Sequence, residues 1–203
     1  MKKYVWLNPV VETSYNLKKL KSILLSKDFE VVNPILDNAN IVLNKYREYV
    51  LKANKTVVDA RCPMIIEYFK KHKFIVDYPN IEPILIHIAR ELADRKDLKD
   101  GKKYILTPCI SLKEYGINLN LDNTYFYTWD EFVLSNNIEI QGETSHESPV
   151  PLGFFDSFET KILKVSSHNI NQISQSIIDE FRFIEGLYCY KGCNNGDGVT
   201  SIG

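Results

Sequence analysis

Val57-Val58-Asp59-Ala60-Arg61-Cys62-Pro63 is a short β-branched run that stops at a cysteine and a proline. Bounded by charge, residues 56–60 read as a buried strand. Pro63 suits the first position of a helix over 63–73, with Ile65, Ile66 and Phe69 facing inward. Tyr104-Ile105-Leu106-Thr107-Pro108-Cys109 repeats the design: a buried strand over 103–106, then a proline and a cysteine. Working outward, the same alternation runs along the chain. Strands are expected at 4–7, 30–32 and 124–128. Helices are expected at 16–27 on Leu17, Leu20 and Leu24, and at 40–52 on Ile41, Tyr46, Tyr49 and Val50. Further helices are expected at 81–95, where Ile84, Leu85, Ile88 and Leu92 align, and at 129–135, with Asp130 and Glu131 in the first turn. The spacing of Ile173, Ile177 and Phe181 predicts a last helix over 171–183, and the polar stretch 139–151 reads as loop. Strands alternating with helices define an α/β fold of mainly parallel sheets flanked by helices.

The chain has 203 residues, 44% hydrophobic and 25% charged, enough to bury a core as one large domain or two small lobes. A net charge of −1 gives no reason to expect nucleic acid or a membrane surface as partner. The start Met1-Lys2-Lys3-Tyr4-Val5-Trp6-Leu7 lacks the apolar length and cleavage site of a signal peptide, so a cytoplasmic setting is expected. There, clustered cysteines bind metal or do redox work more often than they form disulfides.

The cysteines number four: Cys62, Cys109, and the pair Cys189 and Cys193 within Tyr188-Cys189-Tyr190-Lys191-Gly192-Cys193-Asn194-Asn195-Gly196-Asp197-Gly198. Cys62 and Cys109 follow predicted strands, at the sheet edge where α/β folds bind ligands. Four thiolates are a full ligand set for an iron–sulfur cube. Tetrahedral zinc is the inorganic rival, although structural zinc usually takes two close pairs, not one pair and two distant singles. The plain alternative is that each cysteine is a small buried hydrophobe. Glycines 192, 196 and 198 would free backbone N–H groups to donate to cluster sulfides.

In this order the cysteine segments resemble the motifs of the FeFe hydrogenase large-subunit catalytic domain. Arg61-Cys62-Pro63 is similar to the first motif, and 107–113, with Pro108-Cys109 followed closely by Lys113, to the second. Residues 185–198 are similar to the third, with Glu185 four residues before Cys-x-x-x-Cys. Tyr78-Pro79-Asn80 and residues 147–155 also look like segments of hydrogenase-like domains, so the resemblance covers most of the chain from Thr56 on. It implies two small, similar lobes within a single domain over 1–203, with a 4Fe–4S cluster between them on Cys62, Cys109, Cys189 and Cys193. The departures imply that hydrogen is not activated. Arg61 replaces the family's relay cysteine, and an arginine cannot pass that proton. Leu112 stands where the family has the lysine that holds the diiron centre, with Lys113 one place later. The stretch between the second and third motifs is also short.

The expectation is therefore a 4Fe–4S protein that transfers electrons or senses redox state, with a redox partner such as a ferredoxin or a signalling protein. A reduced hydrogenase or other oxidoreductase on the same cluster, and a zinc-stabilised interaction module, are the alternatives. Glu185 reads equally as a relay carboxylate or as a solvated or structural acid; Arg61, Lys113 and Lys191 read first as surface cations. Tyr125, Phe126, Tyr127 and Trp129 read as core. Tyr188 and Tyr190 read as packing, with shielding of the cluster the sharper alternative. His72, His87, His146 and His168 show no metal spacing, and His87 sits within an apolar helix.

Overall fold

Strand pairing is parallel throughout the computed structural model, which describes residues 1–142 and 147–200. The chain runs β1 (Lys2–Trp6), α1 (Pro9–Ser14), α2 (Leu17–Ser26), β2 (Phe29–Val31), α3 (Asn38–Lys52), β3 (Val57–Val58) and α4 (Pro63–Lys71). It continues through α5 (Ile84–Asp94), β4 (Gly101–Thr107), α6 (Ile110–Ile117), β5 (Thr124–Thr128), α7 (Trp129–Ser135), β6 (Ile162–Val165), α8 (Gln175–Ile178) and β7 (Phe183–Gly186). The α/β class with two parallel sheets is thus as the sequence leads one to expect. One compact unit takes residues 1–36, 85–150 and the chain from Cys193 on; the other takes 37–84 and 151–192.

In the first unit the sheet order is β2-β1-β4-β5. Val5, Leu7 and Leu106 bury one face against Leu20 and Leu24 of α2 and Trp129 and Phe132 of α7. Asn8 ends β1 with a double duty. Its Oδ1 accepts from the N–H groups of Val10 and Val11, capping α1, while its amide donates to the Leu106 carbonyl at 3.1 Å. That contact ties the carboxyl end of β1 to β4. On β5, a side chain at Gly116 would meet the Phe126 ring within 2.3 Å, so the glycine lets α6 approach the sheet. Thr128 and Glu131 form a reciprocal cap at the start of α7.

The second unit has the order β3-β7-β6, extended by a bridge from Val57 to Asp77. Alternation sends Val57 and Phe183 to one face, with Val42, Tyr46 and Val50 of α3 and Phe155. Val58 and Ile184 turn to the other face, with Ile65 and Phe69 of α4 and Ile178 of α8. A Cβ on Gly186 would lie 2.7 Å from the Ile65 side chain, so glycine seats α4 on the central strand.

One predicted segment departs from the sequence reading, and three elements were not anticipated by it. The expected 171–183 helix is a 3-10 turn at Ile170–Gln172, then α8, then β7. Ser174 accepts from Ile177 N–H and restarts the helix, and β7 pairs with β6 along Phe183–Gly186 and with β3 at Phe183 and Ile184. A few apolar residues among polar ones fit a short strand or a helix face equally well, and pairing with neighbouring strands decides it. β6, α1 and α6 carry no signal used above. Of the anticipated 139–151 loop, the described residues contain neither helix nor strand. Residues 143–146, His146 among them, lie outside the described residues. Tyr125 of the aromatic run is exposed, whereas Phe126 and Trp129 are core as expected.

Replacing Thr128 by alanine removes a side-chain cap from α7. The expected loss is about 1 kcal/mol, within the ~0.5–2 kcal/mol of such caps, read as a lower urea midpoint at unchanged slope.

Candidate functional site

Three of the four cysteines stand just beyond the carboxyl ends of strands: Cys62 after the edge strand β3, and Cys109 and Cys189 after the central strands β4 and β7. In the first unit β1 leads to β2 on one edge and β4 to β5 on the other, so Cys109 follows a strand flanking the reversal point where open sheets bind ligands. Cys62 and Cys109 also immediately precede α4 and α6, with extended backbone. All four cysteines are half-buried and none is in a disulfide.

Within the first unit Cys109 shares its surroundings with the segment after Cys193. Gly198 N–H donates to the Pro108 carbonyl at 3.2 Å, and the Asp197 carboxylate accepts from Ile110 N–H at 2.9 Å. Gly196 and Gly198 are required by close approach. A Cβ on Gly196 would lie 2.7 Å from the Pro108 oxygen, and one on Gly198 2.8 Å from the Cys109 nitrogen. Asp130 anchors the far end, accepting from the N–H and hydroxyl of Thr200. The anticipated role of the glycine amides is corrected by these contacts. Gly192, Gly196 and Gly198 donate to the carbonyls of Cys189, Cys193 and Pro108, so they serve backbone packing and are not free for sulfide.

Within the second unit Cys62 meets the segment leading into Cys189. Tyr188 N–H lies 3.5 Å from Cys62 Sγ, the kind of bond that stabilises a ligand sulfur. Burial pushes the Cys62 thiol above its ordinary pKa, offset in part by the N–H groups of Tyr188 and Ile65. Tyr188 packs on the Val58 and Ile184 side of the core, while Tyr190 is exposed and stacks on His168.

Beneath this loop lies a buried ionic group. Arg61 is 7% exposed and Asp59 and Glu185 are fully buried. Arg61 grips Asp59 with Nε at 3.0 Å and Nη2 at 2.8 Å, and reaches Glu185 with Nη2 at 3.1 Å. Glu185 also accepts from the N–H groups of Gly153 and Phe154 at 2.9 and 2.8 Å. The guanidinium lies over the rings of Phe154 and Phe155, 4.3 and 4.4 Å from their centroids. Burial raises the Glu185 carboxyl above the usual range, against the pull of Arg61, which Asp59 largely occupies. Burial works against the Arg61 charge too, but Asp59 and then Glu185 outweigh it and hold the guanidinium above its usual value.

Arg61 is therefore a buried ion-pair partner and not a surface cation. Glu185 is a structural acid on β7, not a solvated one. The Lys113 side chain is 18% exposed and paired with Glu131, whereas Lys191 is exposed as expected. Leu112 is core. His72 stacks on Tyr68 at 3.9 Å, and His87 lies half-buried on α5. Asp59, Gly153, Phe154 and Tyr46, whose hydroxyl accepts from Ala60 N–H, enter the site without a sequence assignment. The signal present was Asp59 two residues from Arg61 in an otherwise apolar run, which puts both on one side of an extended chain.

Among the described residues no group of three or more His, Cys, Asp or Glu side chains is placed to hold a metal ion. What each unit brings together is one isolated cysteine loop and the chain next to one member of the terminal pair. No family model and no curated protein matches this chain. No helix among the described residues is long and apolar enough to cross a membrane.

Arg61→Met leaves two buried carboxylates without their cation, with an expected loss of about 3–5 kcal/mol. The loss shrinks as pH falls. A carboxyl raised in the folded state favours folding below its unfolded value of about 4.3, and that benefit fades as pH rises through the folded value. Urea titrations of both proteins at mildly acidic and mildly alkaline pH read the convergence.

Proposed function

We propose that the protein binds one 4Fe–4S cluster through Cys62, Cys109, Cys189 and Cys193, and works in the cytoplasm as a redox protein. It passes single electrons to a partner such as a ferredoxin, or reports redox state to a signalling protein. The observation that carries this reading is the distribution of thiols. Two arise from each unit, and in each unit the loop of an isolated cysteine is bonded to the chain beside a member of the terminal pair. Half-buried thiols outside any disulfide are the donor chemistry a cube takes, and a bound cube supplies one-electron exchange. The Tyr188 N–H would raise the potential of a cluster held by Cys62.

Two features favour redox work without hydrogen activation. Arg61 is spent on Asp59 and Glu185, and Lys113 on Glu131. Neither is left to move a proton or hold a second metal centre.

Anaerobically reconstituted protein is expected to carry about four iron and four sulfide per chain, with visible thiolate-to-iron absorbance and a paramagnetic signal on reduction. Cys193→Ser and Cys62→Ser each lower the iron content in that assay. Colourless protein holding zinc or no metal would defeat the reading, and normal loading of Cys62→Ser would remove Cys62 from the ligand set.

A further inference from the structure

We propose that Asp59, Arg61 and Glu185 form a positioning element for the Cys62 thiol, clamping the loop after β3 to β7 and to the turn at Gly153 and Phe154. The inference rests on Cys62 being a ligand, as proposed above, but its physical content is independent of metal. Arg61 immediately precedes Cys62, and its side chain turns inward, ending between carboxylates from both strands. Asp59 accepts from the Arg61 N–H as well as its guanidinium, so the backbone one residue before the cysteine is held as firmly as the side chain. Tyr46 holds the preceding residue, its hydroxyl accepting from Ala60 N–H at 2.7 Å. On the far side, Glu185 fastens β7 to the 153–154 turn through two backbone N–H groups, and Phe154 and Phe155 roof the guanidinium. Cys62 Sγ is thereby held at the Tyr188 amide, one residue from Cys189.

An ionic group this deeply buried needs a reason, because well-packed apolar residues would hold the strands at least as stably. Directional bonds do what apolar packing does not: a forked guanidinium fixes the angle and distance between two particular carboxylates. A lysine would keep the charge at Arg61 but could not span both partners.

The test uses Arg61→Lys and the near-isosteric Glu185→Gln, each first checked for folding by circular dichroism. Metal-free protein is treated with iodoacetamide, and labelling of each cysteine is followed by peptide mapping. Cys109 and Cys193, in the other unit, serve as internal controls. Cys62 should label about tenfold faster in both variants relative to Cys109, the effect of weakening a local closed state by one charge-assisted bond. After reconstitution the variants should lose iron to a chelator faster and give a broader reduced spectrum than the parent. Unchanged relative labelling of Cys62 in a folded variant overturns the clamp. A parent protein that takes up no iron overturns the cluster reading, and the labelling ratio then still decides the clamp.

Discussion

A parallel sheet covered on both faces has no solvated side on which to place polar chemistry, and both sheets of this protein are parallel. Val57 and Val58, and Phe183 and Ile184, turn alternately into apolar cores on opposite faces of the sheet. Polar and reactive groups are left with the strand ends. That single constraint puts Asn8 at the end of β1, Cys62 beyond β3, Cys109 beyond β4 and Cys189 beyond β7. Cysteines far apart in sequence thus occupy equivalent places in the architecture.

The second unit then breaks the rule it obeys elsewhere. Glu185 lies inside β7, fully buried, in register with Lys164 of β6. The strand tolerates it because Arg61 and two amides supply its bonds, and Asp59 completes the charge on Arg61. Removing any one member would leave the others unmatched in a medium where an uncompensated charge is costly. The group is cooperative in that sense, and it joins three separate pieces of chain.

In the first unit the equivalent work is done by backbone. The segment from Cys193 to Thr200 lies against Pro108 and Cys109 and is pinned by Asp130 and by its own Asp197. Here the glycines matter for the absence of a side chain: Gly196 and Gly198 allow main chain to touch main chain. One cysteine of the terminal pair belongs to each unit, divided at Gly192, whose φ of 112° suits glycine alone.

Local pattern alone determined much of this. Strands 4–7 and 124–128 and helices 16–27, 40–52 and 129–135 carried their own local pattern, and they match β1, β5, α2, α3 and α7 within a few residues. The placing of Cys62 and Cys109 after strands was legible because a β-branched or apolar run ending at proline is a local signal. Only tertiary structure decided that 183–186 is a central strand, that Arg61 is buried, and that the Gly198 amide is spent on the Pro108 carbonyl. Each of these depends on partners far away in sequence, such as Glu185 for Arg61, Ile184 for Val58 or Pro108 for Gly198. A short tetrapeptide, an arginine or a glycine looks the same in sequence whatever it meets, since burial and pairing are properties of the assembled chain.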